Sequence, residues 1–514
     1  IVVFGGTPAG IMSAVAAGRG GASVVLIEPS YLIGGLMSGG LHKTDIGKRE
    51  TIGGLSREFF QRVMRHYTET YGPNSPQVKA LDYTQDRTRD GFYFEPKIAL
   101  QIFREMLAEA HVTVRTKEQL HSVEAVPGQI RRLVTRHYET GVETSFTGTI
   151  FVDGSYEGDL MARAGVSHFI GRESNAAFGE TMNGIRPAGL VGTPTRSIDP
   201  WVRPGDPTSG LLPFIDRALW GKPGDQDNRS QSYCYRVTLT NDPANRLPFT
   251  KPATYNPLWH EALVRSLQLK PDTPLQKIVS LTPMPNRKTD TNHLDFVGAN
   301  TDYPAATHAE RARLAQLHRD YALGMLWTLA HDPRVPAAIR EELAPWGWPK
   351  DEFTDHGNFP HQLYVREARR MRGTFVMKEE NLRRQARVDA GHPVGIGSYA
   401  LDSHVVSTFV DTDGHVRLEG AHLVSQSIRP YGISYYALVP QKSECRNLLV
   451  PICLSATHVA YTSIRMEPVY MVLGQAAGAA AALAIDRRVA VQDISYPQLQ
   501  AVLTAGGQDL TIPP

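Results

Sequence analysis

Gly5-Gly6-Thr7-Pro8-Ala9-Gly10 and Glu28 are the residues whose types and spacing first point to chemistry. Glycine lets a chain turn tightly and lets its backbone approach a ligand, and the free N–H groups at the start of a following helix attract a diphosphate. A carboxylate about twenty positions on accepts hydrogen bonds from a ribose, and its charge repels a 2′-phosphate. Such residues work only if a strand, a helix and a second strand hold them. Ile1–Phe4 is a short apolar, β-branched run, Ile11–Gly18 is Ala-rich and helical, and Ser23–Ile27 is a second strand ending on Glu28. This order predicts a Rossmann unit binding an adenine dinucleotide, with Gly5, Gly6, Thr7, Pro8, Ala9, Gly10, Glu28 and Pro29 against it. Thr7 stands where the strict G-x-G-x-x-G pattern has its middle glycine, the point of closest approach to the diphosphate.

Two further segments extend that surface. Gly34, Gly35, Leu36, Ser38, Gly39 and Gly40 form a glycine-rich stretch after the second strand, suited to backbone lying against a flat ligand. Thr149–Val152 reads as a strand running into Asp153-Gly154 and then a helix over Leu160–Ala164, with Asp159 as its N-cap or as a ligand to the same molecule. Between them, Ser56–Tyr67 and Pro96–Ala110 have helical periodicity, His111–Arg115 begins a strand, and Leu133–Tyr138 pairs with Glu143–Phe151. From about Glu173 prolines become dense and periodicity weakens until a long helix over Ala306–His331. Pro283–Asn292, with Asn286, Lys288 and Asp290, is polar and turn-rich, either a surface loop or the wall of a polar pocket. Leu448–Val450 is a buried strand, Pro451–Ile464 a loop, and Pro468 opens a helix over Val469–Ile485 in which Gly474 and Gly478 are spaced to let a backbone pass.

The totals set bounds. A chain of 514 residues predicts more than one domain, and 41% hydrophobic with 21% charged residues is ordinary for a soluble protein. A net charge of +2 gives no electrostatic footprint for nucleic acid or an anionic membrane. Cys234, Cys445 and Cys453 contain no C-x-x-C pair, which argues against a zinc site or a dithiol centre. Asp355, His356 and His361 match no common metal-ligand spacing, so no metal is expected. No membrane span is expected, since Val469–Ile485 reads as a buried helix. The chain opens on Ile1 inside its first strand, as a removed leader or a trimmed terminus would both leave it, so the compartment stays open between cytoplasm and export.

The segments GGTPAGI (Gly5–Ile11), IGGLMSGGL (Ile33–Leu41), DGSYEGDLMARAGV (Asp153–Val166), LYVREARRMRG (Leu363–Gly373) and, most specifically, Asn447–Gly478 resemble the FAD-dependent oxidoreductases of the glutathione-reductase-like fold, distantly related to fumarate-reductase-type flavoproteins. The resemblance implies an α/β protein: a Rossmann-type FAD-binding domain built from residues 1–173 and 426–514, with a mixed α+β substrate domain, 174–425, inserted. It implies FAD as cofactor, Gly5, Gly10 and Glu28 at the adenosine diphosphate, and the backbone around Leu120 at the adenine. It also implies Gly35, Ser38 and Gly40 along the flavin, and Asp159 near the ribityl or diphosphate. Glu467 and Val469, at the start of the last long helix, would face the flavin N1/C2 carbonyl, where a helix N-terminus stabilises the reduced anion.

With a flavin as two-electron acceptor, an alcohol or amine substrate needs a base for its heteroatom proton, and a neutral imidazole suits. His458 is the first choice, since it precedes the flavin-facing helix, and His404, oriented by Asp402, is the second. Arg465 binds a substrate oxygen or pairs with Glu467, and Tyr399 and Tyr461 are phenolic partners. The expected partner is a polar, oxygen-rich small molecule; the electron acceptor is left open. Reduction of an unsaturated carboxylic acid, with Arg465 and Arg369 or Arg370 as a clamp, is the alternative, followed by a non-catalytic flavoprotein. His42 and Cys453 are the candidates for covalent flavin attachment.

Overall fold

The computed structural model describes residues 1–81, 91–186, 197–383, 386 and 388–512. Its centre is a five-stranded parallel sheet of β1 (Val2–Phe4), β2 (Val25–Glu28), β3 (Thr113–Thr116), β4 (Phe151–Asp153) and β5 (Leu448–Leu449), in the spatial order β5-β4-β1-β2-β3. Val2 pairs with Val25 on one side and Phe151 on the other, and Phe151 in turn with Leu448. The strand from the far end of the chain thus completes a sheet begun by its first residues. β1 and β4 are buried throughout, which explains why they read as continuous apolar runs rather than alternating ones.

Helix α1 (Pro8–Arg19) follows β1, with Pro8 in its first turn and Thr7 as N-cap, the Thr7 hydroxyl accepting from Gly10 N–H at 3.2 Å. Helix α2 (Glu467–Arg487) packs along α1. A side chain at Gly474 would collide with the Ala9 carbonyl, and one at Gly478 with that of Ser13. Among the described residues α2 is the one helix long and apolar enough to cross a membrane, and it is buried in the protein.

Three expectations about local structure change. The pairing expected of Leu133–Tyr138 with Glu143–Phe151 belongs to a three-stranded antiparallel sheet, Glu118–Val126, Gln129–His137 and Glu143–Thr147; Phe151 already lies in the parallel sheet. The stretch read as a loop before α2 contains a helix, His458–Ile464, because Thr457 caps it by accepting from Ala460 N–H at 3.3 Å. Asp159 is the first residue of its helix, and the cap is Gly158 in left-handed geometry. Beyond residue 173 the chain forms small antiparallel sheets, including Val237–Thr240, Ser280–Met284 and Lys288–Asn292, beside the long helix His308–His331. That helix starts with a capping box between Thr307 and Glu310.

Candidate active site

A cleft of about 330 Å³ opens over the ends of β1 and β2, lined by Gly5, Thr7, Glu28, Pro29, Gly35 and Asp159 among others. Its floor needs glycine. Gly5 has φ 96°, and a side chain there would lie 2.5 Å from Ser155 N. One at Gly154 would lie 2.8 Å from the Gly10 Cα, so the turns after β1 and β4 and the start of α1 interlock. Gly6 N–H and Ser30 N–H each donate to one Glu28 carboxylate oxygen at 2.7 Å, while burial pushes that carboxyl upward. Pro8 and Ala9, buried, complete the first turn of α1, where backbone N–H groups have no intrahelical partner. Thr7 donates to the Gly154 carbonyl at 2.6 Å, spending its side chain on the turn itself. This set fits the ADP half of a dinucleotide: glycine backbone, a helix N-terminus and a carboxylate closing β2.

Gly34 and Gly35 carry left-handed φ values of 97° and 48°, and the next residue, Leu36, donates its N–H to the Tyr156 hydroxyl at 3.0 Å. Tyr156 in turn donates to Glu467 Oε1 at 2.7 Å, tying the glycine stretch to the first turn of α2. Burial pushes the Glu467 carboxyl up to about 8, so it is neutral at pH 7. Val469, two residues on, is buried. Ser38 donates to Ile33 O at 2.6 Å, while Gly39 and Gly40 pack on Gln362 and on the Arg236 carbonyl. Leu120 is buried; its neighbour Gln119 lines the cleft. Asp153 is buried beneath the turn, holding Ser155 and Met161 N–H at 3.1 and 2.8 Å, and burial raises its carboxyl to about 6.

A second cavity, about 480 Å³, lies beyond the segment Gln362–Tyr364, whose Gln362 and Leu363 line the cleft and whose Tyr364 lines the cavity. His404 Nδ1 lies 2.8 Å from Asp295 Oδ2, and Arg366 lies 2.7 Å from the other oxygen of that carboxylate. Burial works against the Asp295 charge, but Arg366 and His404 hold its carboxyl well below the usual range. Asp402, expected to orient His404, instead pairs with Arg465 at 3.3 Å, and Asp295 takes the orienting place. Arg465 does not pair with Glu467; it donates to the Tyr364 hydroxyl at 2.8 Å. Burial raises the Tyr364 phenol while Arg465, Arg366 and Arg236 draw it down, with burial dominant. Tyr399, Asp45 and Arg236 complete this polar wall.

A family model described as FAD dependent oxidoreductase matches residues 1–503. The chain belongs to that family. No curated protein gives a significant match. Solved structures similar to this FAD-dependent oxidoreductase include THI4 of Thermovibrio ammonificans, at 17% identity over 34% of this chain and 65% of that one with a TM-score of 0.23. Glycerol-3-phosphate dehydrogenase of Bacillus halodurans complexed with FAD matches at 13% identity over 35% and 40%, TM-score 0.22. 3-Ketosteroid-delta4-(5alpha)-dehydrogenase of Rhodococcus jostii RHA1 matches at 16% over 32% and 47%, TM-score 0.19. The chain thus spans about a third to two thirds of the length of the solved structures it matches, and similarity at this level says nothing about substrate.

Other expected site residues of this FAD-dependent oxidoreductase lie outside both openings. His458 is buried with Nδ1 2.8 Å from Glu367, and Tyr461 is buried with its hydroxyl 2.6 Å from that of Tyr470. Asn286 donates to Glu95 at 2.8 Å, and the Lys288 ammonium is buried among Glu95 (2.5 Å), Glu352 (2.7 Å) and Asp351 (2.8 Å). Those carboxylates are the one cluster among the described residues close enough for a metal, and the Lys288 and Lys97 ammonium groups both pair with them. Asp290, buried, accepts from His42 and Lys43 N–H at 2.9 and 3.1 Å and pairs with Arg236. His42, held by Thr238, and Cys453, with Sγ 3.3 Å from Tyr156 O, are fully buried and line neither opening. Asp295, Tyr364 and Tyr156 are the contributors that sequence reasoning missed. Tyr156 stood inside the quoted Asp153–Val166 segment and Tyr364 inside Leu363–Gly373, but Asp295 lies 109 residues from the histidine it orients, with no local signal.

Proposed function

We propose that the protein uses FAD to oxidise a polar, oxygen-rich small molecule, an alcohol or amine, with His404 taking the heteroatom proton. Gly5, Gly10, Glu28 and the start of α1 would hold the ADP half, and Gly35, Ser38, Gly40 and the start of α2 the flavin. On this reading residues 1–173 and 426–514 carry the cofactor and the intervening 174–425 supply Asp295, Tyr364 and His404. FAD, when bound, supplies the two-electron acceptor, taking hydride at N5.

The chain's own part is proton handling and orientation. Donating Nδ1–H to Asp295 leaves the other ring nitrogen of His404 with a lone pair, ready to accept the substrate O–H or N–H proton as hydride leaves the adjacent carbon. The Tyr364 hydroxyl accepts from Arg465, so its own proton is free to donate to a substrate oxygen. His458 acts one step back: Glu367 holds its ring and accepts from Gln231 at 3.1 Å, and Gln231 accepts from the His404 backbone N–H at 3.3 Å. The observation that carries this reading is the Asp295–His404 pair facing a polar cavity whose lining continues, at Gln362–Tyr364, into that of the dinucleotide cleft. A carboxylate clamp is less well supported. Arg236 and Arg465 are matched by Asp290 and Asp402, Arg369 by Asp159, and Arg370 by Glu173.

An anaerobic panel of polyols, sugars, amines and carboxylates, read by bleaching of flavin absorbance, tests the proposal. His404→Asn is expected to slow bleaching by the best substrate on the order of 100- to 10,000-fold. A full rate in that variant, or a panel that bleaches nothing while an unsaturated acid restores the colour of pre-reduced flavin, refutes it.

A further inference from the structure

The long helix His308–His331 roofs the dinucleotide cleft with His308, Arg311, Ala312 and Ala315, residues spaced to share one helix face. Two of the four are alanines, which keep the roof low, and Arg311 is the one fixed charge. Its guanidinium is held from behind by the Tyr303 and Pro304 carbonyls at 3.1 and 2.9 Å. In front it meets both carboxylate oxygens of Asp159, at 2.5 and 2.9 Å. Arg369 donates to the same carboxylate at 2.8 Å, so two guanidinium groups share one anion. The nearest further carboxyl, Glu157, accepts from the Tyr303 hydroxyl at 3.2 Å, and burial favours its neutral form. Arg311 and Arg369 thus share Asp159, and Glu28 and Glu157 are the other carboxyls in the lining of the cleft. In the same lining Thr7 replaces the glycine at which a diphosphate would come closest, and its side chain is tied to Gly154.

We propose that Arg311 is a ligand of the FAD diphosphate, and that Asp159 is the resident anion the diphosphate displaces. The proposal rests on the reading that this cleft takes the ADP half of FAD. A planar guanidinium fork matches phosphate oxygens as well as it matches a carboxylate. Arg311 exchanges one anionic partner for a more highly charged one without giving up Tyr303 or Pro304. The roof helix becomes part of the cofactor site and compensates for the looser contact at Thr7.

The test is a titration of FAD into protein stripped of its flavin, followed by flavin fluorescence at several salt concentrations. Arg311→Gln is expected to weaken FAD binding on the order of 10- to 100-fold and to flatten its salt dependence. Asp159→Asn is expected to act in the opposite direction, tightening FAD several-fold, because the competing anion is gone while Arg311 keeps its carbonyl anchors. A clasp that is only structural weakens FAD in both variants together; that result, or unchanged affinity in Arg311→Gln, overturns the proposal. Glu28→Ala separates the two layers. Unchanged FAD affinity in that variant removes the cleft as the cofactor site, whereas weakened binding there with full affinity in Arg311→Gln removes only the role of Arg311.

Discussion

Asp295→Asn isolates the electrostatic part of the proposed proton transfer. The substitution keeps shape and removes one charge from beside the imidazole. When His404 accepts a proton it becomes a cation, and the carboxylate 2.8 Å from its Nδ1 stabilises that cation. Unit charges about 4 Å apart attract by about 4 kcal/mol at an effective dielectric of about 20. Arg366, 2.7 Å from the same carboxylate, offsets part of this, which leaves about 2–3 kcal/mol, or on the order of 100-fold in rate. A second loss follows if the Asn amide donates to Nδ1, because the proton then sits on the other nitrogen, where the base must be empty. The assay is anaerobic stopped-flow reduction of the bound flavin by the best substrate of the panel, with FAD content and spectrum as controls. The expected result is a reduction rate constant lower by about 100-fold or more at undiminished FAD content. A reduction rate within a few-fold of the parent would refute the dyad, and so would a loss confined to substrate affinity.

Two further outcomes concern the frame around the site. Gly478→Ala should lower the melting temperature. Alanine normally gains about 1 kcal/mol over glycine inside a helix, but here its methyl runs into the Ser13 carbonyl of α1, and overpacking of this kind costs about 1–3 kcal/mol; a higher melting temperature would contradict the helix contact. Glu467 gives a pH dependence. Its folded carboxyl titrates near 8 because burial disfavours the anion, whereas unfolded it titrates near 4.5. Between those values the native state holds a proton that the unfolded state has lost, so stability falls as pH rises from about 5 to 8. Glu467→Gln should flatten that slope in denaturant titrations, and an unaltered slope would show that the carboxyl is not buried neutral.

How much of this was legible in the sequence depends on how local each signal is. The turn after β1 could be read because glycine at Gly5 and Gly10 is a steric necessity within a few residues of strand and helix. The Gly474/Gly478 spacing announces that a backbone passes close by, though not that it belongs to a helix, α1. The helix His458–Ile464 reads as a loop in sequence because Ser455, Thr457 and His458 look like solvent-facing residues, yet all three are buried in a polar interior. Lys288–Asn292 misled in the same way: a run of polar residues read as a turn or pocket wall is a strand, kept buried because Lys288 and Asp290 find opposite charges on other elements. Periodicity reports burial only when buried means apolar.

That exception describes much of the region after residue 173. Arg370 is buried between Glu173 and Glu367 at 2.5 and 2.7 Å, Arg366 beside Asp295, Arg236 beside Asp290, and Arg172 between Asp227 and Glu419. Buried ion pairs contribute little net stability, since desolvation offsets their attraction, but removing one partner is costly and their geometry is exacting. In a region of short strands and irregular segments they do what long elements do elsewhere, fixing side chains from distant parts of the chain in register. The His404 site is a product of that wiring. Arg366 sets the charge of Asp295, while His458, Glu367 and Gln231 form a chain ending on the His404 amide. On the proposed reading, the histidine nearest α2 in sequence positions the one that faces the cavity.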